Sequence, residues 1–175
     1  AEISAGSERA APRGTLTITA PIVVGEDVLR PVLDAFMTEY PAVSVRLVML
    51  ERTVNLIDEG IDVALRIAHL ADSSFVAIKV GEVRRVVAAS PGYLAQHPLI
   101  GEPADLAKQQ IIAMTHFGLD SWSFPPAAKS KIARAVQFTP RLVVNTVRAA
   151  VASASEGHGV TRLFSYHIAE EIRDR

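Results

Sequence analysis

Three short apolar runs with helical spacing between them constrain this chain most. They are "TLTITA" (15–20), "VSVRLVML" (43–50) and "IDVALRI" (61–67). In the third, Ile61, Val63, Leu65 and Ile67 alternate with Asp62, Ala64 and Arg66. That two-residue period is a strand with one face in a core. Between the first two runs, "PIVVGEDV" reads as a turn. Leu29, Val32, Leu33, Phe36 and Tyr40 then follow the three-four spacing of an amphipathic helix over residues 26–40. Pro31 inside that window kinks the helix or marks its first turn, and Pro41 ends it. "TVNLIDEG" (53–60) fits a short helix closed by Gly60. Strand, helix, strand, helix, strand is the order that builds a parallel sheet with right-handed crossovers.

The second half continues in the same style. "FVAIKVGEVRRVVAAS" (75–90) reads as two strands around Gly81. In "SPGYLAQHP" (90–98), Ser90 is a candidate N-cap, Pro91 sits at the first helical position and Pro98 stops the helix. "EPADL" (102–106) is a helical turn and "QIIAM" (110–114) a strand. "THFGLDSWSFPP" is loop around one short strand. "ARAVQF" and "RLVVN" are strands separated by Thr139–Pro140. Asn145 is placed to cap a helix from Thr146 to Glu156, which "GHG" breaks. "VTRLF" returns as a strand, and Ser165 caps a last helix through Ile172. The expected division is a linker end at 1–14, a first subdomain at 15–83 and 161–175, and a second at 84–160. Crossing segments near 82–88 and 158–163 join them around a ligand cleft.

Composition excludes several chemistries. With 175 residues and 49% hydrophobic content the chain can bury a core. A net charge of −1 lacks the basic footprint of a nucleic-acid binder. There is no cysteine, so disulfides, thiolate nucleophiles and thiolate-held metals are out. The start "AEISAGSERAAPRG" has no apolar core of a signal peptide. No G-x-S-x-G elbow or P-loop occurs. "GHGVTR" (157–162) lacks the third glycine of a dinucleotide fingerprint and precedes a strand. His69, His97, His116, His158 and His167 show no three- or four-residue spacing for a helical metal pair. His116 is the one to watch, because it follows a strand. Lys129, Lys131 and Arg134 lack the interleaved aromatics of a single-strand binder. Neither a metal nor a cofactor is expected, and the chain does not read as an enzyme.

What remains is the set of loops at strand C-termini, where open α/β sheets bind ligands. The first strand ends at Ala20–Pro21, the third at Arg66–Ile67, "QIIAM" at Thr115 and "RLVVN" at Asn145–Thr146. Helix starts near Ile22–Val24 and at Thr146 would offer free N–H groups to an anion. Arg66 sits at a strand's carboxyl end, and its planar fork suits a carboxylate. Its alternative is an ion pair with Asp62 or Glu51. Asp62 is four residues back on the strand, roughly 13 Å away.

Several segments, in order, resemble the effector-binding domain of LysR-type transcriptional regulators. They are "RGTLTITAPIVVGEDVLRPVLDAFMTEYPAVSVRLVM", "LIDEGIDVALRI", "VVAASPGYLAQHP", Trp122–Phe124, "PRLVVNTVRAAVASASEGHGV" and "LFSYHIAEEI". The resemblance covers residues 13–175. It implies an α/β fold of two Rossmann-like subdomains around a cleft, similar to type 2 periplasmic binding proteins. It implies a small effector, often a carboxylate or other small metabolite. Carried over by position, Pro21, Ile22, Val23, Arg52, Thr53, Arg66 and Ile67 line the first subdomain's side. Thr115, Asn145, Thr146 and Val147 line the second. The resemblance further implies a cytoplasmic regulator. Its homodimer forms head to tail through the Val28–Tyr40 helix, and DNA is bound by a helix-turn-helix outside this sequence. The family domain also runs on after "AEEIRD" with another strand and helix. A periplasmic solute-binding protein of the same fold is the alternative.

Overall fold

The structure is a computed structural model that describes residues 11–52, 54–68, 75–126 and 132–173. The chain divides into two compact units, residues 1–75 and 76–175.

The first unit is built on a parallel sheet. Strand β1 (Gly14–Ala20) is central, between β2 (Val43–Met49) and β3 (Val63–Ala64). Gly14 pairs with Val43 and Ala20 with Met49, while Ile18 pairs with Val63. β3 is shorter than its alternating pattern predicts. Backbone bonds from Asp62 N–H to Thr17 and from Leu65 N–H to Thr19 carry its alignment beyond the strand proper. Ile18, Thr19, Ala20, Val23, Val24 and Leu33 are buried.

The segment "IVVGEDV", expected as a turn, is helical. Helix α1 (Ile22–Val24) passes into a π-helical segment (Gly25–Leu29) and then into α2 (Arg30–Glu39). Pro21, which has no N–H to donate, ends β1 and opens the helix. The wide turn sits just ahead of Pro31, which cannot make the bond an α-helix needs there. The i→i−5 bond from Arg30 N–H to Gly25 O precedes that gap. Gly25 permits the approach of the helix to the sheet. A Cβ there would lie 2.7 Å from Met49 Cγ and Sδ. Residues 56–60 make hydrogen-bonded turns in place of the expected short helix. The Asn55 side chain competes for the amides of Ile57 and Asp58, an Asx turn.

The second unit holds a four-stranded sheet of order β4-β9-β5-β8. Its strands are β4 (Arg85–Ala88), β5 (Ile111–Met114), β8 (Pro140–Val144) and β9 (Val160–Phe164). β5 runs parallel to β8 and β9, and β4 runs antiparallel to β9. β6 (Ser121–Phe124) and β7 (Arg134–Gln137) form a separate antiparallel ribbon. Helix α3 (Pro91–Gln96) starts as its sequence directs, with Ser90 Oγ accepting from Tyr93 N–H at 3.2 Å. A 3₁₀ turn spans Pro103–Lys108, and α4 spans Val147–Ser155. A 3₁₀ turn at Ser165–Ile168 leads into α5 (Ala169–Arg173). Each face of the sheet has a core. Tyr93, Leu106, Ile111, Ala113, Trp122, Val136 and Val160 fill one. Ile112, Met114, Ala150, Val151, Ala154 and Leu163 fill the other, against α4.

Three expectations are corrected here. β9 lies between β4 and β5, and residues 161–175 group with the second unit rather than returning to the first. The apolar run that suggested re-entry is the interior strand of a sheet, so both its faces are covered. The cap of α4 is Thr146, not Asn145: Thr146 Oγ1 accepts from Ala149 N–H at 3.4 Å. The strand expected before Gly81 is not formed, and Val76, Ile78 and Val80 are exposed on irregular chain. Alternation gives the pattern of a strand there, but no neighbouring strand among the described residues pairs with it.

Candidate functional site

The expected residues of the first unit gather at the carboxyl ends of β1 and β2. Pro21 and Ile22 are half-buried and Val23 is buried. Gly25 N–H donates to Pro21 O at 2.8 Å, closing the first helical turn. The Ile22 N–H, which no helical carbonyl can reach, donates to Glu51 Oε1 at 3.0 Å. Glu51 thus places a carboxylate at a helix start, where the backbone field favours negative charge. An anion at this amide would compete with the chain's own carboxylate.

Arg66 reaches back across the same strand ends. Its Nη2 donates to Thr19 Oγ1 at 2.8 Å and its Nη1 to Leu50 O at 3.3 Å. Thr19 is fully buried. Burial depresses the guanidinium below its ordinary pKa, and the nearby Glu51 charge offsets part of that. Asp62 is engaged elsewhere, accepting from Thr17 N–H at 2.8 Å. Arg66 therefore ties β1 to the end of β2, with the Glu51 charge acting on it. Ile67 is half-buried beside it in sequence. Arg52 turns away from these contacts, and its Nη1 meets Glu59 Oε1 at 3.1 Å in an exposed ion pair. Thr53 lies outside the described residues.

In the second unit, Thr115, Asn145, Thr146 and Val147 come together at the carboxyl ends of β5 and β8. Thr115 N–H donates to Val144 O at 3.1 Å, which fixes one loop against the other. Thr115, Asn145 and Thr146 are exposed, while Val147 packs on the α4 core. No acidic side chain occupies the first turn of α4. An open hollow in this unit lies elsewhere. It has a volume of about 460 Å³ and is lined by Ala107, Asp120, Gln137, Phe138 and Thr139, none of them an expected site residue.

The histidines bring no metal centre together. His116 is exposed, His97 stacks on Tyr93 at 3.7 Å, and His167 packs edge-on against Phe164. His69, Lys129 and Lys131 lie outside the described residues. Among the described residues no group of three or more His, Asp or Glu is placed to hold a metal ion. Two charged residues escape a reading of the sequence as candidates in their own right. Glu51 gives no signal beyond following a strand. Arg162 does, as an arginine inside the apolar strand "VTRLF".

Parallel strands that end at helix starts, twice over, match a family of binding domains. The profile of the LysR substrate binding domain matches residues 9–175. The chain belongs to the LysR substrate-binding-domain family. It is 33% identical over 162 residues to the HTH-type transcriptional regulator PtxR of Pseudomonas aeruginosa, covering 92% of this chain and 51% of that one. It is 34% identical over 129 residues to a probable HTH-type transcriptional regulator, LtrA, of Klebsiella pneumoniae, covering 73% of this chain and 42% of that one. The regulatory domain of AphB from Vibrio vulnificus superposes with a TM-score of 0.79 at 27% identity, over 92% of this chain and 80% of that one. CrgA, a LysR-type regulator of Neisseria meningitidis, superposes with a TM-score of 0.77 at 26% identity, over 94% and 55%. The fold is thus the type 2 periplasmic-binding-protein-like α/β fold of these regulatory domains. The chain spans about half the length, or less, of the curated relatives it matches. Those relatives are transcriptional regulators, not enzymes. Among the described residues no helix is long and apolar enough to cross a membrane.

Proposed function

We propose that this chain senses a small polar metabolite and passes the signal to a DNA-binding helix-turn-helix in its full-length cytoplasmic protein. One observation carries the reading. In each unit, parallel strands end where a helix begins, at Ile22 in one and Thr146 in the other. Such ends present backbone N–H groups and loop side chains to a ligand. Pro21, Ile22 and Val23 supply the first group of contacts. Thr115, Asn145, Thr146 and Val147 supply the second.

Arg66 serves as a positioning residue. With Nη1 and Nη2 each holding a strand-end oxygen, it fixes the end of β1 against the chain that follows β2. Glu51 narrows the effector class, because its Oε1 already fills the Ile22 amide. An anionic effector must displace that carboxylate, whereas a hydroxyl or amino group can donate to it. The protein also pairs with a second copy through α2. Val28 and Val32 are 55% and 60% exposed, one turn apart on the segment Val28–Tyr40.

A thermal-shift screen of small organic acids, amino and hydroxy compounds and aromatics tests the reading. Binding to the folded state raises the melting temperature with concentration. Saturable stabilisation by at least one compound is expected, and its loss in Thr146→Ala or Arg66→Ala ties the effect to these strand ends. A compound that stabilises both variants as well as the natural chain would place the site elsewhere.

A further inference from the structure

Arg162 is a buried charge without a counter-charge among the described residues. It lies on β9 and is only 8% exposed. Its Nη2 donates to Ser123 O at 2.7 Å, and its Cζ stands 4.9 Å from the Phe124 ring centroid. A guanidinium carries five N–H groups, and among the described residues only this one hydrogen bond uses any of them. No carboxylate among the described residues forms an ion pair with it. A second arginine shares its face. In the β4–β9 ladder Arg85 stands opposite Phe164, and Val87 opposite Arg162. Directly opposed residues and residues two apart point the same way. Arg85 and Arg162 are therefore diagonal neighbours. Arg85 is exposed, its Cζ 5.7 Å above the Phe164 ring, and it too has no ion pair among the described residues.

We propose that Arg162 and Arg85 form a seat for an oxyanion on the second unit, taking the carboxylate or phosphate group of a small molecule. The reason is electrostatic. A buried charge without a partner is strongly penalised, and a like charge beside it adds to the penalty. Burial, and then the charge of Arg85, both depress the pKa of Arg162. An oxyanion between the two forks removes both penalties and accepts from N–H groups that have no other acceptor among the described residues. Ser123 and Phe124 hold the Arg162 plane in a fixed orientation, so little side-chain entropy is lost on binding.

This seat is separate from the strand ends at Thr115 and Thr146. Arg162 alternates with Leu163, which packs against α4. Arg162 shares the face of Val160, in the core on the opposite side of the sheet. A ligand here meets β4, β9 and the β6–β7 ribbon.

The test is a titration of the chain with inorganic phosphate and, separately, with acetate, at a constant ionic strength of about 0.15 M. The arginine Nε–Hε resonances in two-dimensional NMR report the seat directly. A saturable shift of the Arg162 resonance is expected with at least one of the two anions. The anion that saturates at lower concentration identifies the headgroup. Arg85→Gln changes an exposed side chain and leaves the fold intact by circular dichroism. It is expected to weaken binding about tenfold, as for one lost charge-assisted contact. Arg162→Gln removes a buried group and is not needed for the decision. No saturable shift with either anion overturns the proposal, and so does an Arg85→Gln affinity within about twofold of the natural chain, a difference below about 0.5 kcal/mol.

Discussion

The Arg66 guanidinium donates to the hydroxyl of Thr19 at 2.8 Å, across 47 residues of sequence. One side chain thereby joins the chain after β3 to the buried carboxyl end of β1 and, through Leu50 O, to the end of β2. Arg66→Ala is expected to destabilise the first unit by about 1–3 kcal/mol, because it leaves a buried hydroxyl without its charged partner. Arg66→Lys keeps the charge but not the two-armed reach, and is expected to recover less than half of the loss. Urea denaturation followed by circular dichroism measures both. A stability change for Arg66→Ala within the ordinary range for surface substitutions, about ±0.5 kcal/mol, would show that the arginine only decorates a strand end.

The Glu51 carboxylate acts on the opposite side of the same junction. Glu51→Ala removes the acceptor for the Ile22 N–H and the favourable charge at the helix start. A loss of about 1 kcal/mol is expected, typical of a removed N-terminal cap. The same variant should bind small carboxylates better than the natural chain, since the amide is then open. Isothermal titration with benzoate checks the second half. Equal weak binding by both proteins would mean that Glu51 does not guard the amide.

Asp105 gives the second unit an acid-sensitive feature. Its Oδ2 accepts from Gly101 N–H at 3.0 Å and Glu102 N–H at 3.1 Å. Those two backbone bonds, Glu102's first, hold its pKa below the ordinary 3.8. The unfolded chain binds this proton more tightly than the folded one. The contribution to stability is therefore present above the ordinary carboxylate value and is lost as pH falls through the lowered folded value. Asp105→Asn should flatten the acid limb of the stability profile and leave the neutral region little changed. An unaltered acid limb would assign that limb to other carboxylates.

The proposed pairing of two copies runs through α2 and the π segment before it. Val28 is an exposed apolar side chain with no role in the unit's own core. Val28→Glu should shift sedimentation toward monomer while the melting temperature moves little. Dimerisation unchanged by this charge would move the interface off α2.

The parallel sheet of the first unit is legible in the sequence because its strands alternate cleanly and prolines bracket the helix. Helix α3 is legible too, since Ser90 and Pro91 together leave one way to start. What depends on partners distant in the chain is not. β9 reads as a strand of the wrong unit because an apolar pentamer does not say which sheet it joins. The π turn at 25–29 is hidden because Pro31 signals a missing helical bond but not that the turn before it widens to an i→i−5 bond onto Gly25 O. At the candidate site, the strand ends are readable from alternation and from the order of elements. The self-occupied amide at Ile22 is not, because Glu51 is 29 residues away from it.

The most direct measurement is hydrogen–deuterium exchange, read amide by amide, with and without the best compound from the thermal-shift screen. The amides of Ile22–Gly25, those of Thr146–Val147, or both sets, are expected to gain protection on binding, with other helices and strands changed less. A compound that stabilises the chain while protecting neither set, and instead protects only amides distant from both strand ends, would contradict effector binding at these strand ends.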